Sequence, residues 1–227
     1  MNPVARILIG GSAISGIVGG SMFLNKYLSN EDIESKLKAN KYELLGQEEA
    51  NNSVWEGILA SYKIVATKNS KYKFDDFLGT ETDASNPPKA LSTLKQKCKE
   101  VLKKKLSEDE DSESYEKAKR WCTTPISISK LSEKEGYVAL KDDVLDTKTD
   151  KDAWIQKIKD HKDPKNKDTI ISDLVLSTEK DSSKIEENIK LIKNKCKTIG
   201  ESKNHSDDWE GSLKKFKIWC SNKKDKE

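Results

Sequence analysis

Two stretches lying 98 residues apart indicate how this chain is organised: residues 117–122, KAKRWC, and residues 215–220, KFKIWC. Each ends in a Trp-Cys pair, and another cysteine precedes that pair's Cys by 24 residues in both cases, Cys98 in the first and Cys196 in the second. Trp and Cys are uncommon residues, and their recurrence at equal spacing is typical of an internal duplication. The sequence therefore predicts two diverged copies of one unit.

The match extends upstream, where Trp55 and Trp154 precede the first cysteines by 43 and 42 residues. We predict an N-terminal segment over residues 1–28, followed by module A (29–125) and module B (126–227). Within both modules apolar residues recur every three to four positions, which predicts a mainly α fold with short strands as a minor feature. Gly200 reads as a helix stop.

Four cysteines in two equally spaced pairs predict disulfides, and the repeat favours Cys98–Cys122 and Cys196–Cys220 among the three connectivities. Such pairing would covalently join two arms of a helical hairpin in each module. Reduced cysteines in a cytosolic core are the alternative. Zinc is disfavoured because no C-x2-4-C pair occurs, and a thiol mechanism shared by both modules is excluded because module A has no His. His205 is expected in a solvated loop.

The tryptophans that mark the repeat are predicted to be structural. Their large apolar area is best buried, and for Trp121 and Trp219 we expect burial near the bridges. Exposure of these rings as anchors for a partner is the alternative. The four residues are Trp55, Trp121, Trp154 and Trp219.

Residues 7–24 form an uncharged stretch of 18 residues between Arg6 and Lys26, which is the minimum for a membrane-spanning helix. We interpret this stretch as a transmembrane signal anchor. A cleaved signal peptide, with small residues near positions 19–21, is the first alternative. A buried apolar helix in a soluble protein is the second.

Small residues form a stripe along this predicted helix, because Ser12, Gly16 and Gly20 recur at every fourth position. Such a stripe lets two membrane helices approach closely, so it predicts weak self-association. Small residues are also common in signal peptides and produce such stripes by chance.

The charge pattern is mixed: 42 basic and 39 acidic residues give a net charge of +3, and only Arg6 and Arg120 are arginines. Guanidinium groups are the usual readers of phosphates and bases, so nucleic-acid binding is not expected. No catalytic or cofactor motif stands out. Ser-x-x-Lys matches, such as residues 127–130, are expected by chance at this Ser and Lys content. We predict a non-catalytic protein without a cofactor.

A Gly-rich apolar N-terminus, a Lys-rich and Arg-poor body and the ending Lys217-Ile218-Trp219-Cys220 together resemble the paralogous families of uncharacterised, membrane-anchored surface-type proteins of haemotropic mycoplasmas. The resemblance implies a surface protein of a wall-less parasite of red cells, diversified for antigenic variation or contact with a host-cell protein or surface. It transfers no catalytic residue. We expect the protein in the cell membrane with most of the chain outside. The alternative is an intracellular, membrane-tethered scaffold that binds partners and has reduced cysteines.

Overall fold

The computed structural model describes residues 30–81, 89–109, 112–177 and 181–224 of the 227-residue chain. Within these ranges the fold is mainly helical, as predicted. The α-helices in chain order are α1 (Ile33–Ala39), α2 (Asn52–Lys68), α3 (Lys89–Leu102), α4 (Glu113–Trp121), α5 (Ile128–Lys134), α6 (Lys151–Lys162), α7 (Ser182–Glu201) and α8 (Trp209–Trp219). The described strands are β1 (Tyr137–Ala139) and β2 (Ser221–Lys223), and short 3₁₀ turns lie between several helices.

The predicted membrane helix over residues 7–24 lies outside the described residues, together with its stripe of Ser12, Gly16 and Gly20. Among the helices that the structure describes, none combines the length and the apolar character needed to cross a bilayer. The membrane anchor and the self-association of its helix therefore stay predictions.

The four cysteines form the two predicted disulfides, Cys98–Cys122 and Cys196–Cys220, with the Cα atoms 5.4 Å apart in each. The first cysteine of each pair lies inside a long helix, α3 or α7. The second follows directly after the shorter helix, α4 or α8. All four side chains are buried. Each bridge therefore fastens the end of the last helix in its module to the middle of a long one.

The buried apolar residues fall into two clusters, one within residues 33–122 and the other within residues 128–220. Each cluster contains two of the repeat-marking tryptophans and one disulfide. Tyr42 is partly buried and packs against both clusters. The helices of the two halves also enclose their cores with the same order of elements, α1 to α4 in the first half and α5 to α8 in the second.

The chain segment after the first helix of each half pairs with the residues just beyond the second cysteine. In the second half this pairing is the antiparallel β1–β2 sheet, with Ala139 opposite Ser221. In the first half it is a single bridge between Leu44 and Thr123. The sequence prediction of minor short strands is thus confirmed.

Two points of the sequence analysis need correction. The first helix of each half, α1 and α5, is seven residues long and was not expected, because so short a helix shows fewer than two full apolar periods. Each begins with a side-chain cap, from Asp32 and Ser127 respectively. Gly200 does not stop α7, which continues to Glu201. Burial explains this glycine: a Cβ built there would lie 2.7 Å from Cε2 of Phe216.

Removing either bridge should destabilise its module by the same amount. Both bridges join cysteines separated by 24 residues, and the chain-entropy model gives about 3.5 kcal/mol for a loop of this length. We expect Cys98→Ala/Cys122→Ala and Cys196→Ala/Cys220→Ala each to lower the free energy of unfolding by roughly that amount in urea titrations. A variant that unfolds at the wild-type urea midpoint would show that its bridge contributes nothing.

Candidate functional site

The tryptophans next to the second cysteines occupy matching buried positions in the two modules. Trp121 is fully buried and its indole N–H donates to the carbonyl of Tyr72 over 2.9 Å. Trp219 is buried in the same way and donates to the carbonyl of Thr169 over 2.6 Å. Both indoles thus bury their apolar rings while their only polar group is satisfied.

The partner ring of each of these tryptophans differs between the modules. Tyr62 meets the Trp of module A edge-on at 5.1 Å between ring centroids, and His161 meets the Trp of module B edge-on at 5.0 Å. The Tyr62 hydroxyl accepts the backbone N–H of Phe74 over 2.8 Å, and His161 Nε2 accepts that of Ile171 over 3.0 Å. His161 therefore has the same structural role in module B as Tyr62 has in module A.

Burial sets the protonation of both rings. It lowers the pKa of His161 below the ordinary histidine value, and the neighbouring Lys162 charge adds a smaller effect in the same direction. A ring whose Nε2 accepts an N–H is neutral at that atom. Burial also raises the pKa of Tyr62 to about 12. Neither group shows the environment expected of an acid or base at work, since each already serves a backbone amide.

The other two predicted tryptophans, Trp55 and Trp154, are also fully buried. Their indole N–H groups donate to the carbonyls of Gly46 over 2.8 Å and Lys141 over 3.1 Å. Each of these carbonyls lies in the loop before the helix that carries the tryptophan. The four repeat-marking tryptophans are thus buried side chains of the two cores, and none is presented to solvent as an anchor for a partner.

A lysine at matching positions of α3 and α7 lies above these rings, 6.0 Å from the Trp55 centroid for Lys95 and 5.8 Å from the Trp154 centroid for Lys193. Lys193 is completely buried, and its ammonium lies 2.5–3.5 Å from three backbone carbonyls of residues 143–149. Lys95 is only half-buried and donates to Gln47 O and Asn52 Oδ1. The sequence analysis did not find this pair, although both lysines lie three residues before a cysteine.

The difference between the two lysines comes from loop length. From Leu45 to Trp55 the chain advances ten residues, whereas from Leu140 to Trp154 it advances fourteen. The longer loop of module B folds over its lysine, so that this end of the module is closed. The shorter loop of module A leaves its lysine at the edge of an open surface.

That surface is a groove of about 570 Å³, called here the module A groove, between α1, α3 and the segment that joins α1 to α2. Two lysines of α3 and a third directly after its end line this wall at four-residue intervals, which places the two helical ones on one side of α3. The acidic lining residues, Glu34 and Glu49, come from the other two elements. The apolar lining residues are Leu44, Leu45 and Leu102, and the lysines are Lys95, Lys99 and Lys103.

The corresponding surface of module B is also closed at a second place, around Gly200 in α7. Gly200 in α7 corresponds to Leu102, since both follow the first cysteine of their module by four residues. A Cβ at Gly200 would lie 3.5 Å from Cβ of Ser129 in α5 as well as against Phe216. The small residue therefore lets α5 and α7 pack closely, whereas Leu102 keeps the corresponding helices of module A apart.

The two modules are joined along a seam centred on Arg120, which is 2% exposed. Its Nη2 donates to the carbonyls of Ser206 and Asp207 in the loop before α8. Its guanidinium carbon lies 4.4 Å from the ring centroid of Tyr72 and 4.9 Å from that of Trp121. Burial lowers the pKa of Arg120. A cation that is so enclosed and hydrogen-bonded fixes the loop of module B on module A.

Asn204 continues this seam, with a side chain that is 1% exposed. Its amide nitrogen donates to Thr123 Oγ1 and Lys119 O, each over 3.1 Å, and its oxygen accepts from Ile126 N over 3.0 Å. His205 also belongs here: it lies in the loop, as expected, but its ring is half-buried and Nδ1 lies 2.9 Å from Ser61 Oγ of the other module, so it is not fully solvated. The loop is ordered by contacts with the other module, which its polar sequence did not reveal.

The described residues contain no group of three or more His, Cys, Asp and Glu side chains placed to hold a metal ion. Comparisons with known proteins give no relative: no family model, no curated protein and no solved structure matches the chain.

The loop around Lys193 gives a prediction with an internal control. Replacing Lys193 with Met removes the buried donor shared by the carbonyls of residues 143, 146 and 149. We expect a loss of about 1–3 kcal/mol in the free energy of unfolding. Lys95→Met, at the half-buried counterpart, should cost less than about 1 kcal/mol. Equal losses in urea titrations would contradict this account.

A second prediction concerns acid. The folded pKa of His161 is lowered, so its contribution to stability is present above the unfolded pKa of about 6.5. It is lost as the pH falls through the lowered value, because the unfolded state takes up the proton first. His161→Tyr reproduces the ring of module A and should retain more of its stability between about pH 7 and about pH 5.

The measurement is the free energy of unfolding at both pH values. His205→Asn is the companion variant, because burial, followed by the charges of Arg120 and Lys203, also lowers the pKa of His205. That variant keeps the His161 contribution to acid sensitivity. The carboxylates whose pKa is lowered by hydrogen bonds, such as Asp32 and Asp146, titrate below this window. If His161→Tyr lost as much unfolding free energy between the two pH values as the wild-type protein does, the assignment would be disproved.

Proposed function

We propose that this chain is a non-catalytic protein of the cell surface, anchored in the membrane by residues 7–24, which presents two duplicated, disulfide-bonded modules to the outside. The single observation that carries the proposal is the pair of buried disulfides, Cys98–Cys122 and Cys196–Cys220. Disulfides persist in oxidising compartments and are rare in the cytosol. Their presence at the same place in both modules favours folding outside the cytoplasm.

The duplicated contacts support the proposal that one module arose from the other. Leu45 N donates to Cys122 O over 3.0 Å, and Leu140 N donates to Cys220 O over 2.9 Å. Asp75 pairs with Lys97, and Asp173 pairs with Lys195, in both cases across 22 residues. Such pairs repeat a framework while the surface around them diverges, which suits a protein whose exposed residues vary.

Contact with a host-cell protein or surface is the role proposed for this display. It rests on the resemblance to surface proteins of haemotropic mycoplasmas and on the modules themselves, in which the buried polar groups described above serve the fold. Tyr62 and His161 accept backbone amides, and Lys193 and Arg120 donate to carbonyls. These groups are therefore committed to structure, which favours binding over catalysis.

The proposal is tested on intact cells that express the full chain with its N-terminal segment. Free thiols are blocked at lysis, and peptides are mapped without reduction. We expect linked peptides for both bridges and almost no blocked cysteine. Protease added to the intact cells should remove both modules, while a cytosolic marker stays whole.

Four blocked thiols together with full protection from protease would overturn the surface assignment and favour the tethered intracellular scaffold. Deletion of residues 1–28 is the matched control, because it removes the proposed anchor and leaves every described residue in place. The deleted form should lose its association with the membrane pellet. Membrane association that survives the deletion would contradict the anchor.

A further inference from the structure

The loop that closes module B carries the most exposed large apolar side chain among the described residues. Leu145 is 88% exposed and stands within Asp142-Asp143-Val144-Leu145-Asp146, so that an apolar tip is flanked by carboxylates on both sides. A single exposed leucine is ordinary. This one is notable because the buried ammonium of Lys193 donates hydrogen bonds to the carbonyls of Asp143 and Asp146 in its loop.

Local hydrogen bonds hold the tip as well. Asp143 Oδ1 accepts the N–H of Leu145 over 2.9 Å, and Asp146 Oδ1 accepts those of Lys148 and Thr149 over 2.8 Å and 3.0 Å. The Thr149 side chain, followed by the N–H groups of Thr149 and Lys148, lowers the pKa of Asp146 to about 2 through hydrogen bonds. The leucine is thus presented by a preformed turn, and presenting a fixed shape reduces the ordering cost of binding.

The module A groove offers the complementary surface on the same chain. Its leucines provide an apolar lining, and Lys99 and Lys103, both exposed, add positive charge along the α3 wall. An acidic turn with an apolar tip therefore matches the groove in hydrophobicity and in charge. The matching surface of module B is closed by this turn and by Gly200, so of these two corresponding surfaces only that of module A is open.

We propose that the Leu145 turn of one copy docks in the module A groove of a second copy, with Leu145 against Leu44, Leu45 and Leu102. The carboxylates of Asp142 and Asp143 then lie beside Lys99 and Lys103. Tip and groove are different surfaces, so the contact is heterologous and adds copies head to tail. This association goes beyond the proposed display function, and it is separate from any contact between membrane helices.

The test joins the two surfaces covalently. Full-length chain labelled with light nitrogen is mixed with an equal amount labelled with heavy nitrogen in a mild non-ionic detergent. A carbodiimide then links ammonium to carboxylate groups in direct contact. We expect peptides in which Lys99 or Lys103 of one label is joined to Asp142 or Asp143 of the other. Links within one label only, or no such links, would overturn the proposal.

Substitutions separate docking from chance collision. Leu145→Ser should weaken the association about tenfold or more, the order expected for exposing a buried leucine. Val175→Ser is the matched control, since Val175 is 84% exposed in the segment between α6 and α7 and lies outside the turn. It should leave the mixed-label links unchanged. Equal effects of the two substitutions would contradict docking by the Leu145 turn.

A charge exchange guards against misfolding of a single variant. Lys99→Glu/Lys103→Glu reverses the groove, and Asp142→Lys/Asp143→Lys reverses the turn. Each variant alone should associate at least about tenfold more weakly, because like charges then face each other. In the mixture both contacts between unlike variants carry opposite charges, a Lys turn in a Glu groove and an Asp turn in a Lys groove, so mixing should restore association. Failure of the mixture to associate, while each variant keeps its wild-type unfolding midpoint, would also overturn the proposal.

Discussion

The covalent closure of each last helix onto a long helix is the constraint on which the rest of the structure depends. Hydrophobic residues make up only 34% of the chain, so each small core has little apolar area to set against the entropy of ordering the chain. The disulfide reduces that entropy in the unfolded state. The carbonyl of the second cysteine also accepts the N–H of Leu45 or Leu140. Three segments of each module thus meet at one residue, with the neighbouring tryptophan buried beneath.

Away from the disulfide and the tryptophans around it, the two modules differ. The positions around the bridge and the tryptophans keep their contacts, even where Tyr62 is replaced by His161. The loop before the second helix, by contrast, is four residues longer in module B, and Leu102 is replaced there by Gly200. Both changes close a surface that stays open in module A. Divergence thus alters an exposed surface without altering the framework, which is how one repeated fold provides a groove on one module and a turn on the other.

The spacing of rare residues was enough to predict both disulfides, because a cysteine pair is visible without knowledge of its surroundings. The recurrence of apolar residues was enough to predict the helical class. It did not predict α1 and α5, which are too short to show a period. It also missed the equivalence of Tyr62 and His161, since two different side chains perform one role there. Gly200 was misread because a glycine that permits close packing looks the same in sequence as one that ends a helix. The groove arises because the loop before α2 is four residues shorter than its counterpart in module B, and this effect becomes visible only when the two folded modules are compared.

The seam decides what an assembly of such chains would look like. Arg120 has Ile218 as its counterpart in module B, so the buried cation that binds the 203–208 loop exists once per chain. Asn204 adds hydrogen bonds to Thr123 Oγ1 and Lys119 O across the same boundary. With the modules fixed to each other in this way, the Leu145 turn and the groove keep a constant relative orientation. Each docking step then repeats the same rotation, and a repeated rotation gives a closed ring if it divides a full turn and an open filament if it does not. The geometry of the seam, more than the strength of the proposed docking contact, therefore sets the form of any assembly built by it.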